Sequence, residues 1–75
     1  MTNINNRIKR IANAIDERGG ENLPRFTMYR SPTTIHIKLD GWDVATYDSK
    51  SETSGYNSAQ VLLSEQLLDI PATVE

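Results

Sequence analysis

Isoleucine recurs at positions 4, 8, 11 and 15, spacings of four, three and four. At the helical repeat these side chains fall in one stripe, with Ala12 at its edge. The pattern predicts a helix over residues 4–18. Asn3 or Thr2 can cap its start, and Arg18-Gly19-Gly20 supplies a stop. Arg7, Arg10 and Arg18 form a basic flank beside the apolar stripe.

After Leu23-Pro24 the repeat shortens to two. Phe26 and Met28 alternate with Arg25, Thr27 and Tyr29, and then Ile35, Ile37 and Leu39 alternate with Thr34, His36 and Lys38. Asp40-Gly41 follows at once, the preferred chemistry of a two-residue hairpin turn. Beyond it Trp42, Val44 and Thr46 alternate with Asp43, Ala45 and Tyr47. With that turn as the loop, Leu39 faces Trp42, Ile37 faces Val44 and Ile35 faces Thr46, while Lys38 meets Asp43 on the other face. Ser31-Pro32 marks the preceding turn, placing Met28 near Ile35 and Phe26 near Ile37.

Residues 48–58 are rich in Ser, Thr and Gly and read as a polar connector. Asn57 followed by Gln60 resembles a capping box and opens a second helix that runs to about Asp69, ahead of Pro71. Ala59, Leu63, Leu67 and Ile70 make its core stripe, with Leu62 at the border. Val61 and Leu68 fall on the opposite side, either covered by the first helix or left as an apolar contact for a partner or a second copy. The predicted fold is α+β in the order α-β-β-β-α, a three-stranded antiparallel meander with both helices on one face.

The chain has 75 residues, no cysteine and a net charge of −2. That length makes residues 1–75 a single small domain, without disulfides or thiolate metal sites to staple it. The charge is sorted: residues 1–39 carry seven Lys/Arg and three Asp/Glu, residues 40–75 one and seven. This split predicts a dipolar surface. Neither a signal peptide nor a bilayer-spanning apolar run stands out, so the expected setting is cytoplasmic, away from the membrane.

Reaction chemistry finds little purchase. His36, the only histidine, falls mid-strand on the outward face between Thr27 and Ala45, with no nucleophile or carboxylate brought to it by spacing. Asp40, Asp43, Asp48 and Glu52 lack the ligand spacing of a calcium loop and read as a solvated acidic edge. Gly19-Gly20 follows a helix rather than opening one, so it cradles no phosphate. No catalytic residue, metal or cofactor is expected, and the chain is not read as an enzyme.

In element order the chain resembles the double-stranded RNA-binding domain. That family grips phosphates with lysines at the start of its second helix, where this chain has Asn57-Ser58-Ala59-Gln60-Val61. The resemblance is one of architecture, and nucleic-acid binding through Arg7, Arg10 and Arg18 is the lesser alternative. The outer sheet face, with Tyr29 and Tyr47 flanking Thr34, has the composition of a protein interface. The expected function is a non-enzymatic protein-binding regulator or inhibitor that occupies a partner's surface, in the manner of phage accessory factors that block host defence or nucleic-acid machinery. The partner-binding candidates are Asp40, Asp43, Asp48 and Glu52, which suit a basic surface, together with Tyr29, Tyr47, Val61 and Leu68. A structural homodimer through Val61 and Leu68 is the remaining alternative.

Overall fold

A computed structural model describes residues 4–20, 23–51 and 53–70. The elements are α1 (Ile4–Glu17), β1 (Phe26–Arg30), β2 (Thr34–Leu39), β3 (Trp42–Asp48), β4 (Thr53–Tyr56) and α2 (Ser58–Leu67). The fold is α+β, with two helices and an antiparallel sheet of four strands in the order β1-β2-β3-β4. The proposed caps Thr2 and Asn3 lie outside the described residues.

α1 forms where the isoleucine stripe places it. Ile8, Ile11 and Ile15 are buried beside Ala12 and Ala14, and Gly19 and Gly20 take positive φ just beyond the helix end. These side chains share one core with Phe26, Ile35, Ile37, Leu39 and Val44 of the sheet.

Asp40 and Gly41 have φ of 52° and 85°, the left-handed pair that a type I′ turn requires. Leu39 pairs with Trp42 and Lys38 with Asp43, as the turn dictates. The ladder then shifts. A β-bulge places Ala45, rather than Val44, opposite Ile37, and Tyr47 opposite Ile35. The extra residue sends Val44 and Ala45 both into the core and reverses the phase of the strand beyond them. Tyr47 is therefore buried, with the Lys9 ammonium 5.1 Å from its ring centroid, and does not stand on the outer face.

The first hairpin is also re-registered. Phe26 pairs with Leu39, Met28 with Ile37 and Tyr29 with His36. Ser31 donates its N–H to the Thr34 carbonyl at 2.8 Å, so Pro32-Thr33 rather than Ser31-Pro32 makes the loop. A two-residue shift keeps each side chain on its expected face.

The fourth strand corrects the expected meander of three. Residues 53–56 lie along Ala45–Asp48, within what reads as connector. Their main-chain hydrogen-bonding groups reach the sheet whatever the side chains are, so a polar composition does not forbid an edge strand.

α2 corrects the expected packing more deeply. Val61, Ser64 and Leu68 face the core at 0, 0 and 2 % exposure, whereas Leu62, Leu63 and Leu67 stand 53, 37 and 43 % exposed. The stripe expected inside is largely outside; Ile70 alone of that set packs against the core, and Ala59 is exposed. Two contacts fix this orientation. Ser64 is small enough to sit beneath the helix and donates its hydroxyl to the Gln60 carbonyl at 2.7 Å. Glu65 turns toward α1, where the Arg7 guanidinium clamps it with two hydrogen bonds.

Candidate functional site

Asn57 closes β4 and opens α2. Its side-chain oxygen accepts from the Ala59 and Gln60 N–H groups at 3.1 and 3.4 Å, and its own N–H donates to the Val44 carbonyl at 2.9 Å. The helix is thus pinned to β3 through its cap residue and to α1 through Glu65. With both anchors on the inner side, the opposite side presents Leu62, Leu63 and Leu67 to solvent.

That exposed side carries no charge. The only ionisable residue of α2 is Glu65, and Arg7 takes both its carboxylate oxygens. The same bond holds the Arg7 guanidinium above its already high ordinary pKa against the opposing effect of burial. An apolar, charge-free helix face next to a complete core is the feature of this surface least explained by folding alone.

The acidic candidates are not a free edge. Asp40 accepts three hydrogen bonds from Arg25, at 2.7, 3.1 and 3.2 Å, which hold its carboxyl below the usual value. Asp43 lies 3.7 Å from the Lys38 ammonium, and Asp48 accepts from the Lys50 main-chain N–H at 2.9 Å. Glu52 lies outside the described residues. The sorted charge of the sequence is consequently interleaved in space. Arg7 with Glu65, Arg25 with Asp40 and Lys38 with Asp43 each join the basic half to the acidic half.

The basic candidates are likewise dispersed. Arg7 is tied to Glu65. Arg10 and Arg18 line a shallow hollow of about 320 Å³ together with Glu17, Asp69 and Leu68. Arg30, beside the C-terminal half of α1, is held by Asp16 and by Asn13. Carboxylates therefore intervene among the cations that a phosphate backbone would have to meet.

Val61 and Leu68, offered by the sequence as contact residues, are core residues and unavailable to a partner. Tyr47 is buried too. Tyr29 remains exposed, edge-on to His36 with ring centroids 6.0 Å apart, and His36 Nδ1 lies 3.5 Å from the Thr46 hydroxyl. Thr27, Tyr29, His36 and Lys38 border a small hollow on this uncovered sheet face. Sequence reasoning missed Leu62, Leu63 and Leu67. The available signal was that α2 is apolar on both sides, so one set had to be left over.

No family model, curated protein or solved structure matches this chain. Among the described residues no helix is long and apolar enough to cross a membrane.

Proposed function

We propose that the protein is a non-enzymatic binding module that regulates or inhibits a partner protein by inserting the outer face of α2 into an apolar groove of that partner. The observation that carries this reading is the outward placement of Leu62, Leu63 and Leu67 on a helix whose single charge is already neutralised. Hydrophobic grooves read helices through anchors spaced three and four residues apart, and Leu63 and Leu67 stand four apart.

A groove fits this face better than a second copy does. Together the three leucines expose little more than one whole leucine's worth of surface. A standard interface takes about 800 Å² from each partner, which two convex helices meeting side by side would not supply from these residues. A concave partner enfolds the flanking Ala59 and Gln66 as well. The expected acidic docking edge receives less support, because Arg25 and Lys38 already share Asp40 and Asp43. Nucleic-acid binding through α1 is weakened in the same way by the Arg7–Glu65 clamp.

Proximity labelling in cells that express the protein tests the reading. Leu63→Asp/Leu67→Asp should fold, by circular dichroism, and lose the labelled partner that Thr27→Asp retains. An identical set of labelled proteins for all three forms would overturn it. Light scattering showing a wild-type dimer that the leucine variant dissociates would reassign the face to self-association.

A further inference from the structure

β1 lies at an edge of the sheet, with β2 on one side and, among the described residues, no strand on the other. Two bonds fix the phase of its hydrogen bonding. Ser31 donates its N–H to the Thr34 carbonyl at 2.8 Å, and Asp40 donates its N–H to the Arg25 carbonyl at 2.9 Å. Hydrogen-bonded pairs alternate along an antiparallel ladder, so residues 25, 27, 29 and 31 turn their main-chain groups toward β2. Phe26, Met28 and Arg30 turn theirs away from the sheet. Among the described residues none of these outward groups has a partner.

Edge strands are ordinarily guarded against pairing by free charge, proline, a bulge or brevity. β1 lacks each of these guards. Its pairing with β2 runs from Phe26 to Arg30 without a bulge. Prolines stand outside it, at positions 24 and 32. Of the cations at its two ends, Arg25 is tied back to Asp40, and Arg30 to Asp16 and Asn13 of α1. The opposite edge, β4, is shorter and stops where the chain turns into α2.

The strand is also complementary to itself. A twofold axis at Met28 sets that residue opposite its own counterpart and sets Phe26 opposite Arg30 of a second copy. These are the residues with outward main-chain groups, so each pair exchanges two hydrogen bonds and none is left over. Thr27 then faces the exposed Tyr29 of the second copy in the closer kind of pair, a β-branched side chain against an aromatic one. No like charges stand opposite each other across this seam.

We propose that β1 pairs antiparallel with β1 of a second copy, joining the two sheets into one. Affinity comes from main-chain hydrogen bonds rather than from buried area. So short a seam is smaller than a standard interface, and the dimer is reversible and dependent on concentration. It uses no residue of the outer α2 face and stands or falls apart from it.

Sedimentation velocity and hydrogen exchange, each from about 10 μM to about 1 mM protein, test the seam. The wild type should pass from monomer to dimer. Over the same range the Phe26, Met28 and Arg30 amides should gain protection, whereas those of Thr27 and Tyr29 are protected throughout. Thr27→Glu/Tyr29→Glu places carboxylates opposite each other twice across the seam, yet within one copy it sets one of them against Lys38. It should fold, by circular dichroism, and dimerise at least about ten-fold more weakly. Thr27→Glu/Tyr29→Lys puts opposite charges at the same two places and should restore the dimer. Leu63→Asp/Leu67→Asp should dimerise as the wild type does, which separates this seam from the α2 face. A wild-type monomer at about 1 mM, exchange at Met28 indifferent to concentration, a dimer unaffected by the two charge variants, or one lost in the leucine variant would each overturn the proposal.

Discussion

Truncating Leu68 and Leu63 in turn tests which side of α2 belongs to the core. Leu68 is 2 % exposed and Leu63 37 %. Leu68→Ala removes buried methyl groups and leaves a cavity in the core, a change that costs about 2–5 kcal/mol. Leu63→Ala removes partly wetted groups, leaves no enclosed void and introduces a better helix former, for a net cost of at most about 1 kcal/mol. A domain of this size holds only about 3–5 kcal/mol in reserve, so the first variant should sit near the edge of unfolding. Urea titration followed by far-ultraviolet circular dichroism reads the difference. With a slope of about 1 kcal/mol/M, the Leu68 variant should lose at least about 2 M of midpoint and the Leu63 variant less than about 1 M. Equal losses, or a larger loss for Leu63, would refute the orientation of α2 and with it the binding face assigned to that helix.

Ile11→Glu should abolish folding, read as loss of the cooperative urea transition, because it places an unpaired charge at a wholly buried position. Gly41→Ala should cost about 1 kcal/mol in the same assay through its φ of 85° alone, since the added methyl meets no neighbour within 4 Å. The Asp40 carboxyl is held low by Arg25, so its contribution to stability is present above the ordinary carboxylate pKa of about 4 and is lost as pH falls through the lower, folded value. Asp40→Asn keeps a residue suited to the turn, and should therefore flatten the acid limb of the stability–pH curve slightly without altering the fold.

Some of this architecture is legible in the sequence and some is not. The isoleucine repeat and the Asp40-Gly41 turn each rest on a local rule with one solution, and both stand in the structure. The bulge does not announce itself, because Trp42, Val44 and Thr46 satisfy simple alternation. Only the adjacency of Val44 and Ala45 with a further apolar Tyr47 hints at two phases in one strand. β4 is held by edge pairing, which leaves no hydrophobic trace in residues 53–56. α2 is apolar on both sides, so its own periodicity cannot choose a face. The choice is made by partners distant in sequence, Arg7 above all, and by the small Ser64. For the candidate surfaces the consequence is direct: Tyr29 stays exposed because a shift of two residues leaves its face unchanged, whereas Tyr47, Val61 and Leu68 are lost to the interior.

The pairing of Arg7 with Glu65, Arg25 with Asp40 and Lys38 with Asp43 means that the imbalance along the chain serves recognition within the molecule. Opened between Asp40 and Gly41, the domain would yield two fragments of opposite sign, with the Arg7–Glu65 and Lys38–Asp43 pairs divided between them. Their reassociation should be drawn by long-range attraction and slowed by added salt.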